Sequence, residues 1–387
     1  MHIGFDGKRA LHNTRGLGAY SRNLLEALYR YYPDNAYTIF AAPAREPFLK
    51  RWQAQFPAFR FVFPQGAFAR HVPSLWRSFA LAAEAERIGV QIYHGLSQEL
   101  PRGIEKTRVK SVVTLHDLLF LRQPQFYKTI DRKIYTKKVR HACDVADHII
   151  AISEQTRSDL IRFLKVPANK ITVLLQSCDT VFTESHSTEA SDLRLRFPTL
   201  PERYLFYVGA LTESKNLGIL IEALAQLEKN EDLHLVFGGK GPDQQRLEQL
   251  AKEKRVEWRV HFLGYVETRD LPDLYRGAEM FLYPSFFEGF GIPLIEAQHC
   301  STPVLAARGA ALEEAGGEHS LYLDPKDSQA WAQAINELAN DEKRRKKMIS
   351  EGLEFVKKFH PSAVAAQLIE IYESLLHDEE KLKAKTG

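Results

Sequence analysis

Short runs of β-branched and aromatic residues alternate with helical patterns along almost the whole chain, and this alternation restricts the fold most strongly. Strands separated by helices form parallel sheets with crossover helices. In the first half, strands are predicted at His2–Asp6, Tyr37–Ala41, Arg60–Phe63, Gln91–His94, Ser111–Leu115, His148–Ile152 and Ile171–Leu174. Helices are predicted between them at Leu17–Tyr31, Ser74–Ile88, Asp131–Cys143 and Glu154–Leu164.

The alternation stops once, in a segment rich in Ser, Thr, Glu and Pro, and then restarts. Residues 183–202 are therefore predicted to be a linker. It separates an N-terminal α/β domain, residues 1–182, from a C-terminal one, residues 203–361. A tail helix at about 362–383 carries a wide apolar stripe and is expected to pack back on the first domain. Strands of the second domain are predicted at Tyr204–Val208, Leu233–Phe237, Val260–Leu263, Glu279–Tyr283, Pro303–Ala306 and Ser320–Leu323.

The sequence thus predicts two doubly wound, Rossmann-like α/β domains that face each other across a cleft. Ligands of such sheets bind at the carboxyl ends of the strands. The cleft between the two domains is therefore the expected binding site.

Charge is distributed unevenly between the two halves. Residues 1–182 hold 27 Lys and Arg against 15 Asp and Glu, a net charge of +12, and the remainder carries −9. A basic half suits an anionic membrane surface, an anionic acceptor or nucleic acid, although an ordinary solvated surface is the simpler alternative. Nucleic acid is not expected, because no recognised binding module accompanies the charge. Six basic residues cluster with aromatic residues on one predicted helix and its approach: Lys128, Arg132, Lys133, Lys137, Lys138 and Arg140.

That cluster predicts peripheral contact with an anionic membrane. The three cysteines, Cys143, Cys178 and Cys300, are scattered and form no metal or redox motif. The N-terminus has no apolar signal-peptide core, and no apolar run is long enough to span a bilayer. The expected location is the cytoplasm, at the inner face of the cytoplasmic membrane where the basic helix engages lipid.

The segment from Tyr283 to Ala297 carries the strongest chemical signal. A strand leads into the glycine-rich stretch Glu288-Gly289-Phe290-Gly291, and Pro293 suits the first turn of a helix. The free N–H groups of such a helix start favour an anion such as a diphosphate. Glu288 and Glu296 are acceptor-only carboxylates, which suit hydroxyl groups on either side of the phosphates. The alternative is that both acids only compensate the helix dipole.

Residues 283–297, followed by Ser301-Thr302-Pro303-Val304, resemble the signature of the retaining glycosyltransferases of the GT-B fold, glycosyltransferase family 4. The resemblance implies that Glu288 binds sugar hydroxyls at the reacting face and Glu296 binds the ribose. It also implies that N–H groups around Phe290, Gly291 and Ile292 contact the sugar or the phosphates. Ser301 stands where the family usually has glycine.

Other segments resemble the same family in the same order, and the resemblance implies that residues 1–182 form the acceptor-side domain and residues 203–361 the nucleotide-sugar-binding domain. By this resemblance, Gly16-Leu17-Gly18 lies beside the donor phosphates, and His116 lies near the donor sugar, although a purely structural histidine is the alternative. Lys215 would offset the diphosphate charge, and Tyr265 and Val266 would hold the base. Glu288, Lys215 and His116 are the expected catalytic residues.

One family feature is missing beside Lys215. Ala210 and Ser214 occupy the two usual positions of an arginine. This leaves the stabilisation of the leaving group incomplete. Three other cations are candidates to replace it: Lys240, Arg9 and Arg15.

The predicted function is retaining transfer of a hexose to a saccharide or lipid-linked acceptor in cell-surface polysaccharide or lipopolysaccharide biosynthesis. Mannose from GDP-mannose is favoured and UDP-sugars stay open. No cofactor besides the donor substrate is expected, and no metal, because the chain has no D-x-D motif. The alternatives are a non-catalytic carbohydrate-binding partner subunit and a GT-B-type sugar-nucleotide epimerase. A dinucleotide-dependent oxidoreductase is disfavoured because Gly16 and Gly18 lack a third glycine.

Overall fold

The computed structural model describes residues 1–13, 16–65, 71–183, 190–227 and 230–386. The chain divides into two compact units. The first comprises Met1–Ser177 together with Pro361–Gly387, and the second comprises Cys178–His360. The second unit therefore begins before the segment predicted to be a linker.

The first unit contains a seven-stranded parallel sheet in the order β3-β2-β1-β4-β5-β6-β7. Its strands are β1 (His2–Asp6), β2 (Ala36–Phe40), β3 (Arg60–Val62), β4 (Ile92–Gly95), β5 (Lys110–Leu115), β6 (His148–Ala151) and β7 (Ile171–Val173). Its helices are α1 (Lys8–His12), α2 (Gly16–Tyr31), α3 (Pro47–Gln55), α4 (Pro73–Phe79), α5 (Leu81–Arg87), α6 (Leu119–Arg122), α7 (Thr129–Val145) and α8 (Glu154–Leu164).

Both faces of this sheet are buried, because successive strand residues pack alternately into two separate cores. On β5, Val112 packs into one core and Val113 into the other. On β6, Ile150 and Ile149 divide in the same way. Near-continuous apolar strands of this kind are typical of parallel sheets covered by helices on both sides.

The C-terminal helix of the described chain completes the first of these cores. This helix, α18 (Pro361–Thr386), packs against α2. Its buried residues recur every three or four positions, which places them on one face of the helix. They are Val364, Ala365, Leu368, Ile369 and Tyr372.

The second unit contains a six-stranded parallel sheet in the order β10-β9-β8-β11-β12-β13. Its strands are β8 (Arg203–Val208), β9 (Leu233–Gly238), β10 (Val260–Gly264), β11 (Met280–Tyr283), β12 (Val304–Ala307) and β13 (Leu321–Leu323). Its helices are α9 (Thr180–Thr183), α10 (Ala190–Arg196), α11 (Gly218–Leu224), α12 (Gln244–Glu253), α13 (Leu271–Gly277), α14 (Ile292–His299), α15 (Ala310–Gly316), α16 (Ser328–Ala339) and α17 (Glu342–Phe355).

The segment predicted to be a linker contains helix α10, which is fixed to the second unit. Leu193 is buried, and the Arg196 guanidinium forms ion pairs with Asp270 and, at 2.6 Å, with Asp273. Residues 184–189 of that segment lie outside the described part of the chain. No helix in the described part combines the length and apolarity that crossing a bilayer requires.

Candidate functional site

The loops that follow β8 and β11 meet at the carboxyl edge of the second sheet. The backbone N–H of Phe286 donates to the carbonyl of Ser214 at 3.2 Å, which joins the two loops directly. Strands β8 and β11 are neighbours in the sheet, so parallel topology delivers both loops to one place. Ligands bind at this edge in doubly wound sheets.

Lys215 and Glu288 form an ion pair across these loops. Their side chains are only 20% and 16% exposed, so little solvent screens the pair. The Lys215 ammonium also lies 5.7 Å from the centroid of the Tyr283 ring. Both residues were predicted as catalytic, for different parts of the donor. The structure brings the two side chains into direct contact, an arrangement that the sequence did not indicate.

Helix α14 begins directly after the glycine-rich loop. Gly291 precedes it with φ 138°, in the region that disfavours side chains, and a Cβ there would also lie 3.0 Å from Leu312. Pro293 occupies the first turn, as predicted. Phe290 is buried against Phe359, so its side chain belongs to the core and only its backbone remains for a ligand. The helix start at Ile292 therefore presents backbone N–H groups.

Glu296 lies in the second turn of α14, where Tyr275 holds it. The Tyr275 hydroxyl donates to Glu296 Oε2 at 2.9 Å. The pKa of Glu296 is raised to about 7, mainly by burial; the Tyr275 hydrogen bond lowers it and the nearby Asp179 charge contributes to the rise. Thr302 Oγ1 donates to the Tyr275 carbonyl at 2.7 Å and helps to fix this tyrosine.

Two residues of this site were missed in the sequence. Tyr275 lies 21 positions before its partner Glu296, and no local pattern connects them. Ser285 is 1% exposed, and its hydroxyl has no hydrogen-bond partner among the described residues. A buried hydroxyl without a partner costs about 1–3 kcal/mol, so an orphaned one beside a loop of this kind marks a place where a ligand or water would be stabilised.

The remaining two predicted residues of the second unit follow β10. Tyr265 is 69% exposed, so its ring is open to a planar ligand, while Val266 is buried. Lys240, one candidate for the missing arginine, is exposed after β9.

In the first unit, His116 follows β5 and is held on both ring nitrogens. Nε2 donates to the Leu96 carbonyl at 2.9 Å, and the Gln176 amide approaches Nδ1 at 3.5 Å. The Tyr20 ring packs edge-on at 4.6 Å. Burial lowers the pKa of His116 to about 4, so the imidazole is neutral at pH 7. These contacts fit the structural alternative, and a role towards the donor sugar stays a prediction.

The Gly16-Leu17-Gly18 segment opens helix α2, as predicted. A Cβ on Gly18 would collide with the Asn13 carbonyl oxygen, so glycine is required there. The Arg22 guanidinium donates to the same carbonyl at 2.8 Å and fixes the turn.

Two further candidates for the missing arginine belong to the first unit. Arg9 Nε donates to Ser97 Oγ at 3.2 Å, so this guanidinium lies at the carboxyl edge of the first sheet. Arg15 lies outside the described residues.

Comparisons with known proteins assign both units. Residues 14–182 match Glycosyltransferase Family 4, and residues 196–355 match Glycosyl transferases group 1. The O-antigen chain mannosyltransferase B of Escherichia coli is 31% identical over 288 residues, which cover 73% of this chain and 74% of that protein. The D-inositol 3-phosphate glycosyltransferase of Corynebacterium glutamicum is 32% identical over 61% of this chain and 59% of its own length.

Solved structures share the architecture over nearly the full length. HepE of Anabaena, crystallised in complex with UDP, superposes with a TM-score of 0.74 at 21% identity, covering 96% of this chain and 99% of its own. The sucrose-phosphate synthase of Thermosynechococcus elongatus superposes with a TM-score of 0.77 at 22% identity, covering 98% and 100%. At these identities the likeness concerns the fold.

Proposed function

Because this chain belongs to the glycosyltransferases of family 4 and group 1, we propose that it is a retaining hexosyltransferase that moves mannose from a nucleotide-diphosphate sugar to a saccharide or lipid-linked acceptor. Its fold is the GT-B fold of that family, as predicted. The relation to an O-antigen mannosyltransferase supports mannose and a role in O-antigen or other lipopolysaccharide biosynthesis. The paired Lys215 and Glu288 at the joined loops carry the proposal structurally.

In the proposed reaction, the bond between the anomeric carbon and the diphosphate breaks while the acceptor oxygen attacks the same face. The leaving phosphate takes the acceptor proton, so no protein nucleophile is required. Lys215 and the N–H groups at the start of α14 stabilise the charge that develops on the diphosphate. Glu288 binds sugar hydroxyls, a role that suits a carboxylate already held by an ammonium group.

Donor binding is proposed to replace the ion pair between Lys215 and Glu288 by contacts with the donor. Without donor, Lys215 and Glu288 neutralise each other where neither is well hydrated. A donor diphosphate would attract the ammonium, and the sugar hydroxyls would then take its place at the carboxylate. Binding therefore exchanges one polar contact for two, and the sugar hydroxyls donate to the carboxylate that the ammonium has left.

A panel of nucleotide sugars tests the donor assignment. GDP-mannose should raise the melting temperature of the full-length protein more than UDP-glucose does, because a ligand stabilises the state it binds. Glu296→Ala should lose much of that rise, since Glu296 is proposed to hold the ribose. A larger response to UDP-glucose would replace GDP-mannose as the donor, and no response to any nucleotide sugar would overturn the proposal.

A turnover measurement distinguishes an enzyme from a non-catalytic partner subunit. The absence of an arginine at the positions of Ala210 and Ser214 is the observation that favours the subunit. An enzyme supplied with acceptor releases free nucleoside diphosphate, whereas a binding subunit does not. Activity should persist in EDTA, because Lys215 and the start of α14 are proposed to act in place of a metal ion. Loss of activity on chelation would contradict this.

We also propose peripheral contact between helix α7 and an anionic membrane. Four of its cations line a depression of about 440 Å³: Arg132, Lys133, Lys137 and Arg140. Within the described part of the chain, no carboxylate forms an ion pair with these four. Ile130, Ile134 and Tyr135 on the same helix are 73%, 47% and 44% exposed. Unpaired cations beside exposed apolar side chains favour an anionic lipid surface.

A further inference from the structure

A second pocket in the first unit is lined by none of the predicted site residues. It opens where β2 and β3 end, and its volume is about 680 Å³. The register pairs Phe40 with Val62, so the two strands end side by side. The backbone N–H of Ala41 donates to the Val62 carbonyl at 3.1 Å and keeps the two following loops together. The pocket therefore occupies the edge where doubly wound sheets bind ligands.

The walls of this pocket are stiff and largely apolar. Pro43, Pro64 and Pro73 line it, and each fixes its own backbone φ angle. Phe63 presents a half-buried ring that stacks on Phe61 at a centroid distance of 6.3 Å. A preformed cavity of this size with an aromatic wall suits a small organic ligand such as a saccharide.

The charge in the pocket is of one sign. Arg45 and Lys50 line it, and none of the lining residues that the structure describes is acidic. Among the described residues, neither side chain has an ion-pair or hydrogen-bond partner. The Lys50 ammonium and Arg45 guanidinium thus leave an uncompensated positive potential at the ends of β2 and β3.

Two other cations of the first unit are neutralised by carboxylates. Arg77 forms ion pairs with Asp6, at 2.9 Å, and with Glu99. Lys138 pairs with the other Glu99 oxygen at 3.1 Å. The two cations that line the pocket differ from Arg77 and Lys138 because no carboxylate of the described chain neutralises them, which leaves both charges available to an anion that the chain itself does not supply.

We propose that this pocket binds an anionic group, a phosphate or a carboxylate, carried by the saccharide acceptor. Arg45 offers a planar fork of donors to that group, Lys50 adds a second charge, and Phe63 packs against a sugar ring. The inference rests on the proposed function, because only a transferase has an acceptor. None of the residues predicted to contact the donor, in either unit, lines this pocket, so it is assigned to the other substrate.

Calorimetric titration of the full-length protein with three sugars tests the proposal. The probes are mannose 6-phosphate, glucuronic acid and, as the neutral reference, methyl α-mannoside. Wild type should bind at least one anionic sugar about tenfold more tightly than the neutral one, which corresponds to one charge-assisted contact. The preference should shrink as salt is added. The stronger of the two anionic probes identifies the group as phosphate or carboxylate.

The variant Arg45→Gln/Lys50→Gln should lose the preference. Arg51→Gln is the control, because Arg51 is an exposed cation on the same helix as Lys50 and does not line the pocket. Equal affinity for charged and neutral sugars in wild type, an unchanged preference in the double variant, or no binding of either anionic sugar at millimolar concentration would each overturn the proposal.

The thermal response to GDP-mannose is measured on the same preparations. A normal donor response without charge preference overturns the pocket assignment alone. A retained charge preference without any response to nucleotide sugars overturns the proposed transferase function and leaves an anion-binding pocket.

Discussion

Glu288 and Glu296 lie eight positions apart in the sequence but in very different electrostatic surroundings. Glu288 has an ammonium partner, whereas Glu296 is held by a neutral tyrosine hydroxyl and lies near Asp179. The two glutamates are therefore suited to different roles. Glu288 is paired with a cation, whereas Glu296, whose pKa burial raises to about 7, changes its charge near neutral pH.

Donor affinity should rise as the pH is raised through about 7. Burial raises the pKa of Glu296, so below that pH the carboxyl carries a proton that must leave before two ribose hydroxyls can both donate to it. Titration calorimetry with GDP-mannose on both sides of this pH measures the effect. Glu296→Gln should bind weakly with no such dependence, and an equal slope in the variant would contradict the assignment.

Replacing Lys215 tests whether this lysine acts in catalysis or only contributes to the general surface charge. Lys215→Ala should lower kcat by about 10²–10³-fold, the cost of removing one preorganised group that stabilises developing charge. Lys252→Ala is the matched control, because Lys252 is an exposed lysine of the second unit with no proposed role. Steady-state rates of nucleoside diphosphate release give the comparison. A similar loss in both variants would contradict a specific catalytic role of Lys215.

At the scale of elements, strand positions were predictable because residues of the inner strands are mostly buried and those of the four edge strands are largely half-buried. All thirteen predicted strands are present, with ends within one residue, since both faces of each sheet are covered by helices. The predicted helix Ser74–Ile88 is instead two helices that meet at Ala80. Neither glycine nor proline marks that break, so the local sequence held no signal for it.

Order within residues 183–202 was not predictable from composition. Arg196 holds α10 through Asp270 and Asp273, which lie 74 and 77 positions further along. The candidate site depends on similar distances. The glycine loop and both glutamates were recognisable locally, but the contacts of Lys215 with Glu288 and of Tyr275 with Glu296 span 73 and 21 positions. Only the folded sheet order brings such partners together.

Helix α18 should contribute strongly to the stability of the first unit. Leu368 is fully buried, so Leu368→Ala should lower the free energy of unfolding by about 2–5 kcal/mol through lost burial and a cavity. Glu370→Ala, on the exposed side of the same helix, should change it by less than about 0.5 kcal/mol. Chemical denaturation measures both values. A small effect of Leu368→Ala would mean that α18 is not part of the cooperative core.

For the whole molecule, the uneven charge predicts a preference for anionic surfaces. The full-length protein should sediment with vesicles containing phosphatidylglycerol at low salt and not with pure phosphatidylcholine. Lys133→Glu/Lys137→Glu should lower this partitioning at least about tenfold, at roughly 1 kcal/mol for each basic residue near the surface.

Lys346→Glu/Lys347→Glu gives a matched control for the vesicle experiment. It changes the charge equally on α17 of the second unit, where both lysines are paired with glutamates. This variant should sediment like wild type. An equal loss of vesicle binding in the two variants would show that binding depends only on net charge. No sedimentation of wild type would exclude membrane contact through α7.

The order of the chain through its two units affects how the protein can form during translation. The second unit is one continuous stretch, Cys178–His360, whereas the first needs α18, which leaves the ribosome only after the whole second unit. Until then, α2 lacks the helix that packs against it. The unit whose synthesis begins first is therefore completed after the other, and in the interval it exposes apolar surface that favours aggregation.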